Sequence, residues 1–471
     1  MKFSHVLSRL GILSVLLLLP GFVLAQPSAD KDIEGLWYGV LKAGAVELRL
    51  GFQIEEEEGK LVALLHSVDQ GDVKLPADSV AFADGKLTIQ VSQLAVAYTG
   101  LLQDDGNTLT GDFKQGPLEL KLTLSRTEKA PTNHRPQMPQ KPYPYDDEEV
   151  AFGSRAEDVK LAGTLTRPEG SGPFPAVVLI SGSGPQDRDE TLLGHKPFLV
   201  LADHLTRRGI AVLRYDDRGT GKSTGRFAGA TSEDFADDAA GAVAFLKERK
   251  EIGTIGLIGH SEGGLVAPLV ASGNEDIGFI VLLAGPGLPG DELMAAQLAS
   301  ISLAMGEDKN KVARSVVQSR KLFEAAKKGA SAEELEELLL LAREDMTDDE
   351  KKDFDQSKDL ILRQMKELTT PWFRYFLKHD PRPALGRVQC PVLAITGEFD
   401  LQVPSRANLK AIEEAVKAGG NTDVTALEMK GLNHLFQSTE KGLPSEYGIL
   451  EETFAPAALK TISEWVIGKT E

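Results

Sequence analysis

The chain has 471 residues, 42% of them hydrophobic, with 52 Lys+Arg against 70 Asp+Glu and a formal charge of −18. That length and apolar content exclude a disordered chain and suit two or three folded domains. So acidic a surface excludes nucleic acid and anionic membranes as partners. A single cysteine, Cys390, excludes an internal disulfide; it reads as a small buried hydrophobe in the apolar run 390–395.

Residues 1–25 read as a cleavable export leader. Lys2 and Arg9 flank the start of an apolar run from Leu10 to Leu19, Pro20-Gly21 interrupts it, and cleavage is expected after Ala25. The run is short of the ~20 residues that a bilayer span needs. The expectation is a periplasmic or secreted protein with no stable membrane insertion after cleavage. Gln26 follows, so no cysteine stands there to be lipidated.

Residues 30–128 alternate apolar and polar side chains in short stretches such as Val46 to Phe52, Lys86 to Val91 and Leu118 to Leu124, separated by Gly, Asp and Asn. Period-two alternation with frequent turns predicts a separate all-β, antiparallel domain. A proline-rich connector at 129–144 marks its end.

From 145 to 471 the pattern becomes strand, loop, helix. Apolar runs at 176–180, 210–214, 254–258, 279–283, 392–395 and 425–429 are mostly too continuous for half-exposed strands. They predict a mainly parallel sheet covered on both faces, an α/β fold. Between 288 and 385 the alternation stops, and apolar spacing at Leu335, Leu338, Leu339 and Leu360, Ile361, Met365 predicts an inserted helical cap.

Two stretches imitate phosphate sites. Asp217-Arg-Gly-Thr-Gly-Lys-Ser223 ends like a P-loop, but the required glycine is replaced by Asp216, whose charge would oppose the anion. Gly285-Pro-Gly-Leu-Pro-Gly290 spells a dinucleotide fingerprint, yet Pro286 and Pro289 each remove a backbone donor. The reading is no nucleotide, no cofactor, and no metal, since no His/Asp/Cys cluster has ligand spacing.

The sharpest signal is Gly259-His-Ser-Glu-Gly263 between an apolar strand and an apolar helix. Strand, GxSxG, helix is a nucleophile elbow: the glycines permit a tight turn that leaves Ser261 projecting at the helix N-terminus. A serine hydroxyl needs a base and an orienting carboxylate, expected downstream in the order Ser, acid, His. His5, His66 and His134 precede this region, His195 and His204 precede the nucleophile, His260 sits within the elbow and His379 in the cap. That leaves His434, after the last strand, as the base. Glu398 and Asp400 follow the strand before it, and loop geometry favours Asp400.

These residues resemble the α/β-hydrolase superfamily, and within it a bacterial esterase group labelled dipeptidyl-aminopeptidase or acylaminoacyl-peptidase-like. The resemblance covers about 143–471 and rests on SGSGPQDRDE (181–190), YDDRGTGKS (215–223), GHSEGG (259–264), GEFDLQVP (397–404) and GLNHLFQ (431–437). It implies that Asp217 and Arg218 tie loops together beside the site, with Ser223 bonding backbone. It implies an oxyanion hole made by the backbone N–H groups of Ser183 and Glu262, although Ser181-Gly182 stands where the family commonly has His-Gly. It also places the cap's Trp372, Phe373, Tyr375 and Phe376 over the catalytic face, as walls of an apolar acyl pocket.

The resulting expectation is a secreted serine hydrolase that cleaves small-molecule esters of short to medium acyl chains through Ser261, His434 and Asp400. Two rival readings remain: a peptidase or acylaminoacyl peptidase with the same trio, and a ligand- or glycan-binding β-domain beside an idle hydrolase.

Overall fold

The computed structural model describes residues 33–43, 46–116, 118–344 and 346–470, so the expected leader lies outside the described residues. Among these, the N-terminal strands are β1 (Gly35–Ala43), β2 (Val46–Glu57), β3 (Lys60–Ser67), β4 (Val73–Pro76), β5 (Ser79–Ala83), β6 (Lys86–Val91), β7 (Val96–Leu102), β8 (Thr108–Gln115) and β9 (Leu118–Thr127). They form one antiparallel sheet in the order β4-β3-β2-β1-β9-β8-β7-β6-β5. The two outermost strands are consecutive in the chain, and the link between them bonds both ways: Ala77 N–H to the Ala63 carbonyl in β3, Asp78 N–H to the Gln90 carbonyl in β6. That link draws the edges together into a half-barrel. Alternation then does what period two dictates: Leu87, Ile89 and Val91 point inward from β6, and meet Trp37, Phe52, Tyr98 and Leu124 in a common core. Each such side chain contributes about 1.5–3 kcal/mol by leaving water.

The proline-rich connector has no regular structure, yet it is bonded on both sides. Asn133 Nδ2 donates to the Val68 carbonyl in the half-barrel, 2.8 Å. Arg135 donates to the carbonyls of Leu450 (2.8 Å), Gly448 (2.7 Å) and Leu193 (3.1 Å). Gln137 bonds Thr453 and Phe454 through both ends of its amide.

The second sheet has the order β10-β11-β13-β12-β14-β15-β16-β17. Its parallel part is β12 (Phe174–Ile180), β13 (Ala211–Tyr215), β14 (Ile252–His260), β15 (Ile277–Leu283), β16 (Val392–Gly397) and β17 (Val424–Met429), matching the six apolar runs. Two further strands, β10 (Asp146–Gly153) and β11 (Lys160–Arg167), extend it as an antiparallel hairpin that the apolar runs do not reveal. The reason is position: β10 is an edge strand, mostly exposed, and its sequence is Asp-Asp-Glu-Glu at the start. On one face lie α2 (Ser232–Lys247), α3 (Gly263–Ala271) and α10 (Ser405–Ala418); on the other, α1 (Pro197–Thr206) and α11 (Pro456–Thr470).

Between β15 and β16 the cap runs through α4 (Gly290–Ala304), α5 (Lys309–Lys327), α6 (Ala332–Glu344), α7 (Asp348–Glu367), α8 (Pro371–Lys378) and α9 (Arg382–Leu385). Leu335 and Leu339 are buried against Leu322, Phe323 and Phe354, while Leu338 faces outward. No helix among the described residues is long and apolar enough to cross a membrane. The dinucleotide look-alike is where the chain enters this cap: a Cβ on Gly287 would meet the Asn408 carbonyl at 2.3 Å, and one on Gly290 the Phe376 carbonyl at 1.8 Å. Close backbone packing is why those positions are glycine.

Candidate active site

At the end of β14 the chain turns into α3 through Ser261, whose φ of 51° lies in the left-handed region. Backbone contacts hold it there: Ser261 N–H donates to the Leu283 carbonyl at 2.8 Å, and Gly264 N–H returns to the Ser261 carbonyl at 2.9 Å. A Cβ on Gly259 would stand 2.0 Å from the Gly263 carbonyl, and one on Gly263 2.1 Å from the Ile180 carbonyl. The glycines therefore let β12, β14 and α3 close on one another and lift the serine above the sheet.

Asp400 leaves the loop after β16, and His434 the loop after β17. Their side chains meet, Nδ1 to Oδ2, at 2.8 Å, and both are buried. The other Asp400 oxygen accepts the N–H groups of Gln402 (2.9 Å) and Val403 (2.8 Å), which fixes the carboxylate. The His434 loop is braced by its neighbour: Asn433 Oδ1 accepts the N–H groups of Leu435 and Gln437, and Asn433 Nδ2 donates to Gln437 Oε1. Glu398 is exposed and, among the described residues, accepts only the Gly431 N–H, at 3.0 Å, so the structure pairs Asp400 and not Glu398 with the histidine.

Ser261 and His434 line the same cavity, of about 300 Å³. No hydrogen bond joins their side chains among the described residues; such contacts tighten on substrate binding. Ser183 and Glu262 line it too. The preceding N–H, that of Gly182, is taken by Glu190 Oε1 at 2.8 Å, whereas those of Ser183 and Glu262 meet no acceptor among the described residues.

The look-alike P-loop is scaffold for this loop. Asp217 accepts the Ser181 hydroxyl and the Gln186 N–H, each at 2.9 Å, and burial pushes its carboxyl up to about 8. Arg218 grips Asp238 with two bonds and Asp234 with a third, tying the loop to α2. Ser223 Oγ donates to the Asp216 carbonyl and accepts the Ala162 N–H. Lys222 Nζ reaches Glu149 on β10.

Trp372, Phe373 and Phe376 line the cavity with Leu293 and Met294. Tyr375 does not, which corrects the expectation from the motif. With 3.6 residues per turn, 372, 373 and 376 share one face of α8 and 375 lies on another; its ring stacks on His379 with centroids 5.3 Å apart.

Sequence reasoning missed the carboxyl of Glu262. It is buried, accepts the Ser232 hydroxyl (2.6 Å) and Trp372 Nε1 (2.8 Å), and so ties the elbow to α2 and to the cap. Burial raises its pKa. It also passed over Glu190 and took His260 only as a residue of the elbow; their bonds are long-range ones that no local pattern reports. A glutamate within the apolar elbow was the available signal, because buried acids need partners.

A sequence profile for the family described as "Serine aminopeptidase, S33" matches residues 196–441. The chain is 28% identical over 422 residues to the protein named Esterase EstD from Thermotoga maritima, covering 88% of this chain and 93% of that one. That span is too long to leave out the half-barrel. Among solved structures, an esterase of Pyrococcus furiosus matches at 15% identity over 73% of this chain and 100% of its own, with a TM-score of 0.44. Est1E from Butyrivibrio proteoclasticus matches at 14% identity over 68% of this chain and 98% of its own, with a TM-score of 0.38.

Proposed function

The chain belongs to the serine aminopeptidase S33 family of α/β-hydrolases, and from that premise we propose that it cleaves carboxylic esters of short to medium acyl chains through an acyl-enzyme on Ser261. The observation that carries the reading is the buried His434–Asp400 pair at the wall of a cavity that also exposes the elbow serine. Ser261 Oγ attacks the ester carbonyl carbon while its proton passes to His434 Nε2, and Asp400 holds Nδ1–H. The N–H groups of Ser183 and Glu262 receive the oxyanion; one such donor is worth on the order of 3 kcal/mol. Collapse expels the alcohol with the proton from His434, and water repeats the sequence to release the acid.

Ester specificity rests on the cavity wall and on the relative named an esterase. Leu293, Met294, Phe373 and Phe376 offer an apolar acyl site, whereas each acid lining the cavity is held through its Oε1: Glu190 by Gly182 and His260, Glu262 by Ser232 and Trp372. The test is kcat/KM for p-nitrophenyl butyrate against aminoacyl p-nitroanilides. The ester is expected to be turned over faster; faster anilide cleavage would transfer the chain to the peptidase reading. Trp372→Ala is expected to change butyrate over acetate preference by about 10-fold, one methylene-scale contact being worth roughly 1–3 kcal/mol. Tyr375→Ala, on another face of α8, should leave that ratio within about 2-fold by the same measure.

Export is part of the proposal. The leader-like run predicts that protein recovered from an envelope or culture fraction begins at Gln26, which N-terminal sequencing reads directly; a retained Met1 in an exported product would refute it.

A further inference from the structure

We propose that His260 and Glu190 form a second imidazolium–carboxylate pair, a positioning pair that fixes the general-base loop and the oxyanion loop to the elbow at once. The inference rests on the serine-hydrolase reading above for its role in turnover, but not for its charge state.

His260 is the last residue of β14 and is buried directly before the nucleophile. Its Nε2 lies 3.0 Å from the backbone carbonyl of His434, and a carbonyl only accepts, so Nε2 carries a proton. Its Nδ1 lies 2.8 Å from Glu190 Oε1, and that same oxygen accepts the Gly182 N–H at 2.8 Å. An ionised Glu190 can only accept, so opposite a carboxylate Nδ1 is also a donor. A ring that donates from both nitrogens is an imidazolium, and Glu190 is its counter-charge.

Geometry gives the pair its function. One nitrogen holds the main chain of His434 itself. The other reaches, through Glu190, the N–H of Gly182, the residue just before the proposed oxyanion donor Ser183. Three segments from separate strands, the loop after β12, the end of β14 and the loop after β17, thus meet on one buried ion pair. The spacing is tight: a Cβ on Gly182 would lie 3.2 Å from Ser261 Cβ and 3.3 Å from Glu190 Oε1. The two imidazole rings, of His260 and His434, have centroids 4.9 Å apart.

The charged neighbours of His260 come from every loop around it. Glu190 faces it from before α1, and Asp400 and His434 from the loops after β16 and β17; Asp217, from the loop after β13, in turn feels the Glu190 charge. Burial opposes the ring's charge, but the Glu190 carboxylate, the bonds to Glu190 and to the His434 carbonyl, and Asp400 together hold its pKa above the ordinary histidine value. The sign follows: a histidine whose folded pKa is raised contributes fully below its unfolded value, and the contribution is lost as pH rises through the folded value. The clamp is therefore complete below the ordinary histidine value and is lost as pH rises on the alkaline side of it.

The test uses the full-length chain. In Ser261→Ala protein, 15N-resolved histidine spectra, with His260 assigned by the signal missing in His260→Asn, are expected to keep two protonated ring nitrogens at a pH above the ordinary histidine value. A neutral tautomer there, with the proton on Glu190, overturns the proposal; this arm needs no turnover, so it stands or falls apart from the ester reading. In active protein, Glu190→Gln keeps an oxygen for Gly182 and removes only the charge. Its alkaline limb of kcat/KM on p-nitrophenyl butyrate is expected about one pH unit below that of the parent. His260→Asn is expected to lower kcat about 10- to 100-fold, the scale of a small misplacement of reacting groups, with KM little changed. An unmoved alkaline limb in folded Glu190→Gln overturns the positioning role, and that variant decides the matter if His260→Asn fails to fold.

Discussion

Ser261→Ala is expected to lower kcat on p-nitrophenyl butyrate by about 10⁵- to 10⁶-fold, the scale at which removing a serine nucleophile acts. The loss should come without a change in Tm. Ser261 Oγ makes no hydrogen bond to protein among the described residues, and the elbow is held by backbone bonds to Leu283 and Gly264. Alanine at φ 51° carries the same strain as serine, so only the nucleophile is deleted. A fluorophosphonate should label the parent on the peptide that contains Ser261 and leave the variant unlabelled. An adduct mapped elsewhere, or turnover retained by the variant, would remove Ser261 from the mechanism.

Asp400→Asn is expected to cost about 10³- to 10⁴-fold in kcat, a tautomer effect. The asparagine oxygen can still accept the N–H groups of Gln402 and Val403, which turns its NH₂ toward His434. His434 Nδ1 then has to accept, its proton moves to Nε2, and the nitrogen facing Ser261 loses its lone pair. Glu398→Gln touches only the exposed bond to Gly431 and should stay within about 3-fold, as surface changes do. The opposite ranking would make Glu398 the orienting acid.

Where local chemistry determines local structure, the chain could be read directly. The elbow at Gly259–Gly263 announces itself because glycine is demanded by backbone at 2.0–2.1 Å, and the six buried strands because both faces of a parallel sheet are apolar. The order Ser, acid, His then pointed to the pair that meets at 2.8 Å. What stayed hidden was decided by partners far along the chain. The hairpin β10–β11 has one exposed edge and no apolar run. Tyr375 sits one residue from the cavity face of α8, a distinction that an aromatic cluster does not carry. Glu190 and His260 lie 70 residues apart, and His260 and His434 174, so their bonds exist only after folding.

The connector has a consequence for how the molecule comes apart. Its prolines read as a spacer, but Arg135 and Gln137 fasten opposite sides of Pro136 to the same 448–454 stretch beside the active site. A protease cut at Pro136 would sever one covalent bond and leave Arg135, on the N-terminal piece, still seated on three carbonyls. The half-barrel would behave as a bound subunit of its own chain. Its loop at Asp69–Gly71 lies against Gly448 and Leu193, next to Leu192 in the cavity wall. Stripping that piece away would loosen the rim of the pocket while leaving every reacting atom in place.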